Sequence, residues 1–598
     1  MKTLPARFSL LLAAALGTLR AASPDLASSA SAFVRAQAQS GVNWETWNPA
    51  ALQRAKTENK PVYVFIGSWL SELSRATCQQ SFANAETIAY LNQHFICVFV
   101  DREEHPDVAA CAKLYLQVVK QTGGWPVHLW LTPELQPYEG AGYLPPSEEW
   151  GRSGFPMMAR QAAEAWANDP RACRGHATEA VSMMAASAPD ALPAVTPAAL
   201  ADKLARAADA WRATFDAANA GFGSGPKGAE PELLRFLLRG GKEDRADALA
   251  TLRALLNGAL HDPVDGGFFD RTTDAAWRIP YLQKTLGDQA RIALAFLDAA
   301  QLTGDAALAD GARQALDYAL KRLAEPAGTF AAAEDATANG RAGYYLWTEA
   351  EIDAAAGPDA AAFKSAYGVM AAGNVSADDD PSGMYRGKNI LYRATPARDP
   401  ALEAKVARAL AALRAAAASR PAPARDATAN AGVHGLMLAA LSRAAVQLND
   451  AAYLAAAART FAAVQQEFVV SADGDLHRMR GSAAPAGAGD YAALALGCRE
   501  FAKAAKQADA GALADKLLAR ATTLYFDAKQ GQYLASPAAL PPGLFVRAPA
   551  LDDPLSPEAL SLLAGVPADE AAALTKGIAA QITEGDTPNG DLLLALKG

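Results

Sequence analysis

The chain has 598 residues and a mass of 62.3 kDa, which is too long for one ordinary hydrophobic core and predicts two or three domains. Hydrophobic residues make up 51% and charged residues 20% of the chain, as in soluble globular proteins. The net charge of -9 and the pI near 5.5 argue against nucleic acid and anionic membranes as partners, because both reward basic patches.

The N-terminus has the pattern of a secretory signal peptide. Positive residues precede an apolar run over residues 8–17, and two alanines follow near position 22. This run is about half of the roughly 20 residues that span a bilayer. We therefore expect a signal peptide over residues 1–22, a linker over 23–40, and export to the periplasm or the extracellular space. No later segment is long and apolar enough to cross a membrane, so stable membrane insertion is not expected.

The region over residues 41–166 has the order of strands and helices of a thioredoxin-like fold. Apolar runs predict strands over 61–67, 95–101 and 127–132, with helix patterns between them. The first strand leads into a tetrapeptide at a helix start, where a redox member of this fold has C-x-x-C. A Trp-Pro bond precedes the third strand, as this fold requires.

Serines stand at both redox positions of that tetrapeptide, Ser71-Glu-Leu-Ser74. Thiol–disulfide exchange needs a thiolate nucleophile and a resolving thiol, and serine hydroxyls ionise far too weakly. We expect a degenerate redox site of Ser71, Ser74, Cys78 and Pro126. The serines can instead cap the following helix, and Cys78 is either a lone nucleophile or an inert thiol. Pro126 is expected in the cis form, where it would shape a groove for an extended peptide.

The chain does not have the spacing of a disulfide framework, a metal site or a nucleotide site. Its five cysteines are an odd number without tight spacing, and its seven histidines are scattered. A P-loop is not present. We therefore expect no cofactor and no metal.

The second half of the chain is predicted to be almost entirely helical. After a connecting segment over 167–197, helical patterns alternate with Gly- and Asp-bearing loops over 198–598. About a dozen helices suit six hairpins in a closed ring, and a solenoid is the alternative. The predicted fold class is an α/β thioredoxin-like domain followed by an all-α (α/α)6 toroid whose loops shape a funnel.

Several motifs together carry a resemblance that covers nearly the whole chain. They are Trp44-Glu-Thr-Trp47, Asn59-Lys-Pro-Val62, Val100-Asp-Arg-Glu-Glu-His-Pro-Asp107, Gly123-Gly-Trp-Pro126, Gly221-Phe-Gly223, Asp265-Gly-Gly-Phe268, Glu334-Asp-Ala336, Tyr344-Tyr-Leu-Trp-Thr348 and Lys388-Asn-Ile-Leu391. In this combination the chain resembles the spermatogenesis-associated protein 20 family. The resemblance implies a thioredoxin-like domain joined to a toroid of the six-hairpin-glycosidase type.

The chain departs from that family where the family carries polar groups. The family's C-H-W-C-H is Ser71-Glu-Leu-Ser-Arg75 here, and its F-H-R is Phe268-Phe-Asp270. The family's H-F-E-K-M-L-Y-D-N motif corresponds to residues 281–289 of this chain, which lack its His, Glu and Asn. The family's W-N-G motif corresponds to residues 433–435, which are Val-His-Gly here. The missing polar residues predict that the chain is a divergent member of this family.

Carboxylates in the toroid loops are candidates for glycoside chemistry. Hydrolysis of a glycosidic bond needs two carboxyls roughly 5 to 9 Å apart, with one of them protonated. The preferred region is Glu334 and Asp335 with Asp288, and Asp490 is a further candidate catalytic residue. The alternative for each is the cap of a helix or the closure of a turn. Loop aromatics nearby could stack on sugar rings but suit a core equally well.

Three functional hypotheses follow from these observations. The first is an exported, redox-inactive protein that acts by binding, with a carbohydrate-like small ligand in the funnel or a partner protein in the thioredoxin groove. The second is a glycosidase or sugar epimerase active in the toroid, and thus a role in carbohydrate metabolism. The third and weakest is an oxidoreductase that uses Cys78.

Overall fold

A computed structural model gives the fold of the chain. It describes residues 24–550, apart from 150, 152, 188–194, 339, 341 and 396–398, together with 575, 576, 579, 582 and 590–597. The predicted signal peptide over residues 1–22 lies outside the described residues.

The first part of the chain is a five-stranded mixed sheet with helices on both faces. Its elements are α1 (Pro24–Ser28), α2 (Ala32–Gln37), β1 (Trp44–Glu45), α3 (Pro49–Glu58), β2 (Val62–Gly67), α4 (Glu72–Gln80), α5 (Ala85–His94), β3 (Ile96–Asp101), α6 (Pro106–Val118), β4 (Val127–Leu131), β5 (Pro137–Ala141), α7 (Phe155–Asn168) and α8 (Pro170–Ala186). The strand order is β1-β3-β2-β4-β5. The strands β1, β3 and β2 are parallel to one another, β4 is antiparallel to β2, and β5 is antiparallel to β4.

The central strands β2 and β3 are buried along their whole length. A strand that is covered on both faces needs an apolar residue at nearly every position, which is why both strands read as continuous apolar runs. Aromatic rings fill one face, where Phe65 lies 5.0 Å from Phe82 and 5.1 Å from Phe99 between ring centroids. The helix α4 follows β2 directly and begins at the edge of this core.

The second part of the chain is mostly helical. Its elements are α9 (Pro197–Ala213), α10 (Pro231–Leu238), α11 (Lys242–Asn257), β6 (Gln283–Thr285), α12 (Leu286–Thr303), α13 (Ala306–Tyr318), β7 (Ala333–Asp335), α14 (Glu349–Ala356), α15 (Ala360–Tyr367), α16 (Pro400–Ala417), β8 (Ala424–Asp426), α17 (Ala431–Gln447), α18 (Ala451–Glu467), α19 (Ala488–Ala505), α20 (Ala508–Tyr525), β9 (Phe526–Asp527), β10 (Gln532–Tyr533) and α21 (Gly590–Lys597). The strands β6, β7 and β8 form a small antiparallel sheet.

The helices α10, α12, α17 and α19 form an inner row in which each packs on the next. Their first turns lie at one end of the toroid and their last turns at the other. Two glycines allow α17 and α19 to touch, because a Cβ at Gly435 would lie 2.4 Å from the carbonyl oxygen of Ala493, and one at Gly497 would lie 2.3 Å from that of Gly435. The predicted fold class is confirmed, and the short strands β6–β8 are an addition that sequence patterns did not predict.

A buried arginine joins the two parts of the chain. The Nε of Arg478 donates to the backbone oxygen of Glu103 at 2.6 Å, and its Nη1 donates to Asp490 Oδ2 at 2.6 Å. The side chains of Arg478 and Asp490 are 1% and 0% exposed. Beside them, Ser482 Oγ donates to Glu104 Oε1 at 2.6 Å. The first turn of α19 is therefore tied to the loop that follows β3.

Truncation of this arginine should destabilise the protein strongly. Arg478→Ala leaves the Asp490 carboxylate buried without its cation, and we expect the free energy of unfolding to fall by about 3–5 kcal/mol in urea titrations. Arg499→Ala is the control, because that arginine pairs with Asp515 at the surface and should change the value by about 1 kcal/mol or less. Equal losses in the two variants would contradict the role given to Arg478.

Candidate functional site

The two serines at the redox position begin the helix α4. Ser71 is the N-cap residue, and its side chain accepts a hydrogen bond from the backbone N–H of Ser74 at 3.2 Å. The Oγ of Ser74 is buried and has no hydrogen-bond partner. The structure thus agrees with the helix-cap interpretation, since nothing in these contacts would activate a serine.

The cysteines do not provide a thiolate in place of the missing pair. All five lie within the described residues and are free. Burial raises the pKa of Cys78 well above its usual value, and it raises the pKa values of Cys97 and Cys111 to about 12. A buried thiol in apolar surroundings stays protonated and unreactive. The raised thiol pKa values count against the oxidoreductase hypothesis.

The peptide bond between Trp125 and Pro126 is cis, as predicted. The ring of Trp125 lies under the guanidinium of Arg102, 4.9 Å from the ring centroid.

The start of α4 is bound to the toroid through Arg75. Its Nη2 donates to Asp335 Oδ2 at 2.7 Å, and the two side chains are 10% and 2% exposed. Gln283 Nε2 donates to the same Asp335 oxygen at 3.0 Å and to the backbone oxygen of Leu70 at 3.2 Å. The degenerate redox loop, residues 69–75, is thus held against the strands β6 and β7.

A cavity of about 510 Å³ lies beside this contact. The thioredoxin-like domain lines it with Leu70, Arg102 and Glu103. The toroid lines it with the first turns of α10, α12 and α17 and with the loop before β6. We call it the interdomain cavity. Its volume is in the range of small-molecule sites.

The lining of the interdomain cavity is rich in charge. Six of its residues carry carboxyls and three carry guanidinium groups, namely Glu103, Glu230, Glu232, Asp270, Asp288, Asp426, Arg102, Arg271 and Arg291. Burial raises the pKa of Asp426 above its usual value. Elevated carboxyl pKa values in a cleft are a marker of functional sites, although structural networks can produce them too.

Asp270 is the most perturbed carboxyl of this lining. Its Oδ2 accepts from Arg271 Nη1 at 2.8 Å, while its Oδ1 is buried without a hydrogen-bond partner. Burial, with a smaller contribution from the charge of Asp288, raises the pKa of Asp270 to about 7 despite the opposing charge of Arg271. Near neutral pH this side chain can hold or release a proton.

Glu230 occupies the cavity in a strained backbone conformation. Its φ of 44° and ψ of 50° lie in the left-handed region, and the next residue is Pro231. Both the side chain and the following proline disfavour this region. Its side chain is accessible from the cavity, and burial raises the pKa of the carboxyl, opposed by Arg291. Such strain is concentrated at functional sites.

The four predicted catalytic carboxyls do not meet in one place. Asp288 lines the interdomain cavity and accepts from Thr285 Oγ1 at 2.6 Å. Asp335 is held by Arg75, as described above. Asp490 pairs with Arg478 and also closes a capping box at the start of α19.

Glu334 lies apart from the other three. It is the neighbour of Asp335 on β7, so its side chain points to the opposite face of the small sheet. There it accepts from Tyr318 Oη at 2.9 Å and from Arg322 Nη2 at 2.9 Å. This buried network includes no cavity wall, and we assign Glu334 to the packing of the toroid.

Sequence reasoning missed three residues of the cavity, Glu230, Asp270 and Asn430. A signal existed for Asp270, because it stands where the F-H-R motif of the resembling family has its arginine. No local pattern marks a left-handed glutamate before a proline. Asn430 precedes α17 as its N-cap residue but makes no side-chain cap hydrogen bond, which only the structure could show.

His434 also lines the cavity, but its ring is fully engaged in the fold. Its Nδ1 lies 2.7 Å from the backbone oxygen of Asn430, and its Nε2 accepts from the N–H of Phe330 at 2.9 Å. Burial lowers the pKa of His434 to about 4. Among the described residues, no cluster of His, Cys, Asp or Glu could hold a metal ion, and no helix is long and apolar enough to cross a membrane.

The raised pKa of Asp270 predicts a pH-dependent loss of stability. Folding keeps the proton on this carboxyl, so the stability that it contributes is complete below about pH 4 and is lost as pH rises to about 7. Asp270→Asn should therefore be more stable than the wild type at pH 8, by on the order of 2 kcal/mol after allowance for solvent screening in the cavity.

Urea titrations of both proteins from pH 4 to pH 8 measure this difference. The exposed Asp378→Asn serves as the matched control, since its side chain lies at the outer surface. A gain in stability that is the same at pH 4 and pH 8 would show that Asp270 is ionised in the folded protein across this range.

Comparison with known proteins finds a family model that matches the first part of the chain and several related proteins. Residues 23–185 match the family model Thioredox_DsbH, described as a protein of unknown function, DUF255. Spermatogenesis-associated protein 20 of Mus musculus is 31% identical over 388 residues, which are 60% of this chain and 49% of the mouse protein. The predicted resemblance is confirmed. The human protein is 31% identical over the same length. The chain spans about half the length of the curated relatives that it matches.

An uncharacterised Caenorhabditis elegans protein, B0495.5, is 26% identical over 400 residues, 61% of this chain and 53% of its own length. Among solved structures, a GH76 α-mannanase of Bacteroides thetaiotaomicron covers 67% of this chain and 94% of its own, with 12% identity and a TM-score of 0.39. A sugar epimerase from a ruminal bacterium covers 64% and 98%, with 14% identity and a TM-score of 0.30. At such TM-scores we infer nothing about activity from either structure.

Proposed function

We propose that this protein is a redox-inactive relative of spermatogenesis-associated protein 20 that acts by binding. The single observation that carries the proposal is the start of α4, where Ser71 caps the helix and Arg75 pairs with Asp335 of the toroid. The position of a redox pair has become part of a contact between domains. Electrons cannot be exchanged there without a thiolate.

The ligand site of this proposal is the interdomain cavity, and the ligand is a carbohydrate-like small molecule. A ring of hydroxyl groups suits a lining that contains both carboxyl and guanidinium groups, because hydroxyls both donate and accept hydrogen bonds. The thioredoxin groove is the less favoured site, because residues 69–75 already contact the toroid through Arg75 and Leu70.

The first test is reduction of insulin disulfides with dithiothreitol as the electron source. We expect the wild-type rate to equal the rate without protein, because four of the five thiols are buried and the pKa of the half-buried Cys78 is raised well above its usual value. Cys78→Ser is the matched variant and should behave identically. Turnover by the wild type that disappears in Cys78→Ser would remove the proposal and restore the oxidoreductase hypothesis.

The second test is calorimetric titration of the full chain with a panel of neutral and amino monosaccharides and disaccharides. We expect saturable binding of at least one member. Asp288→Asn should weaken that binding by about tenfold, as for a lost hydrogen bond to a charged group. The control is Asp378→Asn, because Asp378 is exposed and does not line the cavity, and it should leave the affinity unchanged. Binding that survives Asp288→Asn would place the ligand outside the interdomain cavity.

A glycosidase or sugar epimerase is the second candidate function. The observation that favours it is the pairing of Asp270, whose pKa is about 7, with the carboxyl of Asp288 in one cavity. Glycoside hydrolysis uses two carboxyls, one of which has a raised pKa. Release of reducing sugar or epimerisation by the wild type, lost in both Asp270→Asn and Asp288→Asn, would support catalysis. Binding without any turnover would support the first function.

We also propose that the protein is exported, on the pattern of residues 1–22. N-terminal sequencing of the protein from fractionated cells tests this directly. A mature N-terminus near residue 23 in the periplasmic or extracellular fraction is the expected result, and an intact N-terminus in the cytoplasm would contradict export.

A further inference from the structure

The lining of the interdomain cavity carries more negative than positive charge. It has six carboxyls against three guanidinium groups. The first turns of α10, α12 and α17 each add a partial positive charge of about 0.5 from the helix dipole, which offsets only about half of the excess. Burial raises the pKa values of Asp270 and Asp426, and neighbouring carboxylates add to the rise, Asp288 for Asp270 and Glu103 for Asp426.

Hydrogen-bond acceptors in the same lining lack donors. Asn430 is 5% exposed, and its Oδ1 is buried without a hydrogen-bond partner. The Oδ1 atom of Asp270 is likewise buried without a hydrogen-bond partner. A buried acceptor without a donor costs about 1–3 kcal/mol, so a ligand that brings N–H or O–H groups recovers that free energy on binding.

The segments that carry Glu230 and Asp270 lie side by side. Gly228 and Arg271 form an antiparallel bridge, and the N–H of Thr272 donates to the backbone oxygen of Lys227 at 2.9 Å. This pairing brings the strained Glu230 and the buried Asp270 to the same side of the cavity. The acidic side is thus built by two tied segments and not by one flexible loop.

We propose that the interdomain cavity binds a polyhydroxylated amine, with its ammonium group on the Glu230 and Asp270 side and its hydroxyl groups towards Asn430 and the arginines. This inference rests on the proposed function and specifies its ligand class. An ammonium ion supplies donors and positive charge together, which is what the lining lacks. A neutral sugar supplies hydrogen-bond donors without positive charge. An anion would be repelled by the excess of carboxylates.

Binding of a cation favours the ionised carboxyls, so protons leave the protein as the amine binds. The groups that face Asp270 are Arg271 on its own loop, Asp288 on α12 and Asp335 on β7. Arg291 of α12 faces Glu230. Since the carboxyls ionise as pH rises, affinity for the amine should increase from pH 5 to pH 8.

The test compares glucamine with glucitol, two open-chain polyols that differ in one ammonium group in place of one hydroxyl. Calorimetric titrations of the full chain at pH 8 should give a dissociation constant about tenfold lower for glucamine. Titrations at pH 6.5 in buffers of different ionisation enthalpy should show proton release for glucamine and none for glucitol. Glucosamine and glucose provide the same comparison for a ring at pH 6.5, where the amine of glucosamine is protonated.

Two variants test whether the carboxylate of Glu230 binds the ammonium group of the ligand. Glu230→Gln keeps the shape of the side chain and should weaken glucamine binding about fivefold while it changes glucitol binding by less than about twofold. Glu179→Gln is the control, because Glu179 is exposed on α8. Circular dichroism and the urea midpoint of each variant confirm that it is folded.

The outcomes separate this inference from the proposed function. Equal affinity for the charged and neutral ligands, or tighter binding of the neutral one, overturns the amine and leaves a binding protein for neutral carbohydrates. Tighter binding of glucamine that is unchanged by Glu230→Gln also overturns the assignment of the site. Absence of saturable binding for all four compounds overturns both the ligand class and the cavity as a carbohydrate site.

Discussion

The contact between the two domains is the constraint on which the candidate site depends. Arg478 brings the first turn of α19 to the backbone of Glu103, and Arg75 brings the start of α4 to Asp335. Each guanidinium is buried and paired with a buried carboxylate, and a pair of this kind is strongly destabilising to break. Glu103, Leu70 and Gln283 take part in these contacts and also line the interdomain cavity, so its walls exist only while the thioredoxin-like domain remains docked on the toroid.

Much of the fold could be predicted from local patterns. The strands β2 and β3 are continuous apolar runs because both of their faces are covered, and Ser71 marks the start of α4 because a serine hydroxyl caps a helix well. The strands β6, β7 and β8 escaped prediction because each has three residues, too few for a period of two to be recognised.

The site could be predicted only in part. Asp288 was found because a motif marks it, whereas Asp335 and Asp490 proved to be the partners of buried arginines that lie 260 and 12 residues away in the sequence. Charge partners so distant leave no local pattern. The perturbation of Asp270 depends on burial by the folded chain, and the left-handed conformation of Glu230 before a proline follows no local sequence pattern, so neither can be seen in the order of residues.

The close approach of Gly435 to the backbone of α19 has a consequence for how the protein can respond to a ligand. Helices in van der Waals contact through bare backbone have no side chains that could repack, so this part of the toroid behaves as a stiff frame. The opposite wall of the cavity is lined by Leu70, Arg102 and Glu103 of the thioredoxin-like domain, so ligands of different size must be accommodated by the rotamers of these side chains. Selectivity for molecular size would then be set by three side chains and not by the helical frame.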